Sequence, residues 1–118
     1  MTNLTKFLEE HNFEKRFKYL TKKLKNKKVL IYGTGKLFKL VAENYDLNSL
    51  DIIGLCDNKY LIDEFGQIEN NYKIIPKSFI NDIDFDAILI CAKEYQSIFT
   101  RLKKSLKHKL ILPLVPLT

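Results

Sequence analysis

Tryptophan is absent from these 118 residues, and cysteine, histidine and arginine are scarce. Each scarcity excludes something. The two cysteines, Cys56 and Cys91, each close an apolar run, IIGLC and AILIC, and read as packing thiols at strand ends. Neither belongs to a C-x-x-C pair or a metal-binding spacing. His11 and His108 lie far apart in the chain with no ligand-type neighbours, so no metal is expected. No apolar run approaches the roughly 20 residues that cross a bilayer. The start, MTNLTKFLEE, lacks the basic-then-apolar order of a signal peptide. These absences lead to the expectation of a cytoplasmic protein with no membrane partner. Arginine occurs only at positions 16 and 101, so the net charge of +6 is almost entirely lysine. DNA-reading surfaces favour the bidentate arginine fork. Together with the richness in Lys, Asn and Ile that AT-rich coding produces, this argues against a nucleic-acid partner.

What is present is ordinary for a folded domain: 46% hydrophobic and 29% charged residues. The length suits one domain with its own core. There is no internal repeat, linker or low-complexity tract. Phe7, Leu8, Phe13, Phe17, Leu20 and Leu24 recur at helical spacing and predict one helix over residues 4–25. KNKK at 25–28 is a polar connection. Residues 28–32 form an apolar strand, as expected when both faces are buried in a parallel sheet. The pattern continues with a helix at 36–45, a strand at 51–56 and an irregular polar stretch at 59–72. A short strand at 73–75 closes at Pro76, and one helical turn follows at 77–80. A fourth apolar strand spans 85–92, a lysine-ended helix 95–106 and a fifth strand 109–112. Pro113 and Pro116 are expected to end regular structure. This alternation predicts an α/β fold with a parallel sheet, in strand order 3-2-1-4-5 if the crossovers are right-handed. Residues 1–27 read as an N-terminal helix packed on the domain, and 28–118 as the domain itself.

Two of the four glycines stand together in VLIYGTGKLF, where the first strand meets the next helix. Gly33 suits a tight turn, and Gly35 lets a phosphate approach the backbone without a Cβ in the way. The N–H groups opening the helix at Lys36 then face the anion. Asp57 follows at the end of the second strand, about twenty residues on, where a ribose contact requires an acid. The third glycine of the usual G-x-G-x-x-G is replaced by Phe38, so the helix is expected to sit further out or to rotate. The competing reading is a structural glycine turn, with Asp57 capping a loop.

KKVLIYGTGK at 27–36, DIIGLCDNK at 51–59, YKIIP at 72–76 and DFDAILICA at 84–92 carry a resemblance. This part of the chain resembles the small Rossmann-like N-terminal domain of bacterial sugar acyltransferases of glycan synthesis. It is also similar to the nucleotide-binding domain of nucleotide-sugar dehydratases and epimerases of the polysaccharide-biosynthesis group. The resemblance implies a Rossmann-like fold holding NAD(P), a UDP-sugar or a similar diphosphate. Gly33, Thr34, Gly35 and Lys36 would line the phosphates. Asp57 and Asn58 would reach a ribose or base, and Cys91, Ala92 and Lys93 would flank the ligand. The catalytic partner domain of those enzymes is missing from this pattern, so no catalytic residue is assigned. The expected role is a nucleotide-binding module of sugar-nucleotide or surface-glycan metabolism, as a homodimer or beside a partner enzyme. The alternatives are a nucleotide-sensing regulatory domain, or an interaction domain that has lost its ligand, with Phe38 filling the space near the turn.

Three further patterns are set aside. Residues 82–93 begin like a calcium loop, but Ala87 and Lys93 replace the required Gly and Glu. Tyr19 and Lys23 match a dehydrogenase dyad in letters only, since they precede the glycine turn. Tyr32 stands where a methyltransferase would want an acid. Lys93 and Glu94, after the fourth strand, are either a solvated loop or a ligand contact.

Overall fold

The computed structural model describes residues 3–116. Four strands form a parallel sheet: β1 (Lys28–Tyr32), β2 (Asp51–Cys56), β5 (Ala87–Ile90) and β6 (Leu110–Pro113), in the order β2-β1-β5-β6. Between β2 and β5 lies a two-stranded antiparallel hairpin, β3 (Ile68–Glu69) and β4 (Tyr72–Lys73). The helices are α1 (Asn3–Glu10), α2 (Phe13–Lys23), α3 (Lys36–Asn44) and α4 (Tyr95–Ser105).

The sheet is buried on both faces, which explains its unbroken apolar strands. Side chains alternate between the faces along each strand. Val29 and Ile31 of β1 and Ala87 and Leu89 of β5 meet Leu8, Phe13, Leu20, Leu37, Phe38 and Val41 of the first three helices. Leu30, Tyr32, Ile88 and Ile90 point the other way, towards Leu102 of α4, Leu106 just beyond it and Ile80. Helices thus cover both sides of a parallel sheet, the α/β arrangement expected.

The expected third strand occupies its expected place next to β2 but barely pairs. It is a single parallel bridge between Leu55 and Ile74, with the Ile75 N–H donating to the Leu55 carbonyl at 2.8 Å. β2 bulges there: Ile52 faces Val29 while Gly54 faces Leu30. A Cβ at Gly54 would overlap Ile75 Cδ1, so glycine lets the two chains approach closely.

Three other expectations are corrected. The helix over 4–25 is two helices, because Asn12 adopts left-handed φ 50° between them. Helical periodicity continues across the break, so hydrophobic spacing alone does not reveal it. Phe85 and Asp86 precede β5 rather than belonging to it. Pro113 ends β6 rather than stopping regular structure before itself, paired with Ile90 on the outer strand, where the missing N–H costs no ladder bond. Arg16 of α2 donates to the carbonyls of Pro113 and Leu114, fastening α2 to that strand's end.

Candidate functional site

Outside the carboxyl ends of β1 and β5 lies a cleft of about 540 Å³. Its lining includes Gly33, Gly35, Lys36, Asp57, Ala92 and Lys93, together with Leu4, Leu37, Cys91 and Glu94. The volume falls in the range of about 300–1,000 Å³ usual for small-molecule sites. The position, outside the carboxyl ends of parallel strands, is where ligands meet open α/β sheets.

The two glycines of the turn differ. Gly33 has φ +102°, and a Cβ there would lie 3.0 Å from the Cys91 carbonyl oxygen. Its N–H continues the sheet by donating to the Cys56 carbonyl at 2.8 Å. The fold itself requires this glycine. Gly35 has φ −84°, in the extended region any residue adopts, and a Cβ there would meet nothing within 4 Å. It is the N-cap of α3 and supplies no side-chain cap, so the first N–H groups of the helix are left to another partner.

Thr34 faces inward. Its side chain is fully buried, the only buried one among the described residues that is neither apolar, aromatic nor a cysteine. Its N–H donates to Asp57 Oδ2 at 2.8 Å, and its hydroxyl lies 3.3 Å from the same oxygen and 2.9 Å from the Tyr60 hydroxyl. Tyr60 in turn donates to Glu69 Oε2 at 2.7 Å, reaching the β3–β4 hairpin. Burial is the main cause that holds the Tyr60 phenol neutral well above its ordinary range. Thr34, expected at the phosphates, does not line the cleft: its hydroxyl is enclosed, its N–H is taken by Asp57, and its carbonyl accepts from Lys59 Nζ at 3.3 Å.

Asp57 lines the cleft but is already engaged. Besides Thr34, it accepts from the Lys59 N–H through Oδ1 at 3.0 Å. A carboxylate offers about four lone-pair sites. Two are filled by backbone N–H groups, one on each oxygen, because the Thr34 hydroxyl proton is directed at Tyr60, whose own proton goes to Glu69; about one site on each oxygen is left for a ligand donor. Asn58 does not line the cleft. Its Oδ1 accepts from Tyr32 at 2.8 Å, and Arg101 of α4 donates to the Tyr32 hydroxyl at 2.9 Å. Apolar packing at Tyr32 hides this pairing from sequence reasoning, which aimed Asn58 at a base or ribose.

Cys91 borders the cleft with its side chain buried, and burial pushes its thiol well above the ordinary range. It is a neutral packing group, as is Cys56, whose thiol is pushed up to about 12, chiefly by burial. Both are free thiols. Phe38 packs into the core with Leu37 and Val41 instead of entering the cleft. No group of three or more metal-ligating side chains occurs among the described residues. No helix among them is long and apolar enough to cross a membrane.

Sequence reasoning missed Leu4 and Leu37 as lining residues. Leu37 reads as one more core position of α3. Leu4 has no local signal, because only the packing of α1 brings it to the cleft.

Fold and cleft together define a small Rossmann-like α/β domain with an open site at its glycine turn. The family model described as C2185-like, N-terminal matches residues 25–110, and the chain belongs to that family. No curated protein matches it. Among solved structures it is similar to RSP, a protein crystallised in complex with β-NADH, with a TM-score of 0.51 and 16% identity. The match covers 85% of this chain and 60% of that one, so the likeness spans about three fifths of RSP. At that identity the likeness is one of fold.

Proposed function

We propose that this chain is a nucleotide-binding module that holds a diphosphate-containing nucleotide over Gly33–Lys36. Gly35 carries the reading. Nothing in the fold requires a glycine there, and the space its missing side chain leaves belongs to the cleft. A backbone that a phosphate must approach closely accounts for it. The uncapped N-terminus of α3 and the Lys36 ammonium supply the positive field. The fold shared with an NADH-bound protein makes NAD(P) a natural candidate, and UDP-sugars follow from the resemblance of the glycine turn and strand ends. A link to sugar-nucleotide or surface-glycan metabolism, with a partner enzyme or second copy supplying the rest of a catalytic site, rests on that resemblance alone.

A thermal-shift panel of NAD(H), NADP(H), UDP-sugars and coenzyme A tests the proposal. One or more should stabilise the wild type, and Gly35→Val should abolish that shift. Equal stabilisation of both proteins places the ligand elsewhere, and no stabilisation by any of them removes the proposal.

A second reading, a nucleotide-sensing domain, has its own observation. Leu61, Ile62, Phe65 and Ile68 are large, apolar and exposed, and they lie in the segment that Tyr60 and Glu69 tether to Thr34. Exposed apolar clusters of this kind mark interaction surfaces. On this reading the apparent mass in sedimentation changes when NADH is added. The alternative of a module that has lost its ligand keeps less support, because Phe38 does not fill the cleft.

A further inference from the structure

The family match begins at residue 25, so α1 and α2 lie outside it. Yet Leu4 of α1 lines the cleft beside Gly33, Gly35 and Lys36. One turn along the same helix, the Phe7 ring lies 4.8 Å from Nζ of Lys93, which also lines the cleft. Residues three apart share a helix face, so Leu4 and Phe7 look towards the site together. Leu8, on the adjoining face, anchors α1 in the core among Leu37 and Val41. The left-handed Asn12 ends this arrangement and sends α2 down the sheet.

The charges complete the picture. Lys36 has no hydrogen-bond or ion-pair partner among the described residues, and an aromatic ring steers Lys93 without neutralising it. Lys36 and Lys93 line the cleft with the carboxylates of Asp57 and Glu94, a third ammonium, Lys59, donates to the Thr34 carbonyl at 3.3 Å, and Leu4 and Leu37 supply the apolar surface.

We propose that α1 is a wall of the ligand site. It accepts a ligand whose diphosphate lies over Gly35 between Lys36 and Lys93, and whose adjoining ring system rests an apolar face on Leu4 and Leu37. Phe7 is a positioning residue that acts through Lys93. This rests on the nucleotide-binding reading above and adds to it a contribution from outside the residues that the family model matches.

Calorimetric titration of the full chain with β-NADH, ADP and UDP-glucose tests it, using wild type, Gly35→Val, Leu4→Trp and Phe7→Leu. Leu4→Trp fills the cleft and should weaken the probe that binds wild type by at least about tenfold. Phe7→Leu keeps the packing but frees Lys93, and should weaken that probe about threefold to tenfold. Hydrogen exchange of wild-type residues 3–10 should slow when that probe is added, and this measurement decides the matter if Leu4→Trp does not fold. If Gly35→Val abolishes binding while both α1 variants match wild type and exchange is unchanged, the role of α1 is overturned and the nucleotide site stands. If no probe binds wild type, or Gly35→Val binds as wild type does, both fall.

Discussion

Single residues carry most of what is distinctive about the cleft, and the two glycines of one turn make opposite predictions. Gly33→Ala forces a Cβ against the Cys91 carbonyl at a positive φ. It should cost roughly 1–3 kcal/mol, read from the urea midpoint. Gly35→Val meets open space and should cost less than about 1 kcal/mol, while removing ligand-induced stabilisation. If the two variants destabilised equally, the assignment of one glycine to the fold and the other to the ligand would fail. Tyr60→Phe removes the hydroxyl that joins Thr34 to Glu69. Leaving both without that partner should lower stability by about 1–3 kcal/mol in the same measurement. The glycine turn and Asp57 are legible in the sequence because their spacing lies within one β-α-β unit of consecutive elements. The inward aim of Thr34 is not, since it depends on Tyr60 and Glu69 folding back over the turn.

At the scale of elements, the N-terminal segment shows how a helical pattern conceals a break. The apolar spacing runs on from Leu8 through Phe13, yet Asn12 stands at φ 50°. Asparagine tolerates this conformation where alanine does not. Asn12→Gly should therefore be close to neutral and Asn12→Ala should cost about 1 kcal/mol, compared by thermal unfolding. A seamless helix would give the reverse order, because alanine is the better helix former. The third strand shows the converse. YKIIP has the composition of a strand, and its place beside β2 is the expected one. Tyr72 and Lys73 are taken up as the hairpin strand β4, and Ile74 meets Leu55 of the bulged β2 in one bridge.

For the whole molecule, burial of titratable groups predicts how stability responds to alkali. Cys56, Cys91, Tyr32 and Tyr60 all have pKa values raised, in each case chiefly by burial. Above the ordinary thiol and phenol range the unfolded chain loses these protons while the native state keeps them. Stability is then fully present at neutral pH and falls as pH rises past about 8.5–10. The urea midpoint should hold steady from pH 7 to 8 and decline above about pH 9. A constant midpoint to pH 11 would show that these groups are open to solvent. The exposed ion pair of Lys28 and Asp84, at 2.6 Å, should contribute little and be screened by salt.

The α/β class, the parallel sheet, the glycine turn and the acid at the end of β2 are all readable from the order of the amino acids. All of these follow from periodicity and spacing within short segments, where steric limits on the backbone leave few choices. Which of those residues share the cleft is set by the packing of the folded chain. It turned Thr34 inward, engaged Asp57 with the turn, paired Asn58 with Tyr32 and brought Leu4 from the far N-terminus to the site. Those outcomes depend on packing between elements distant in the chain, where a side chain's neighbours are set by how the layers close and not by the residues beside it.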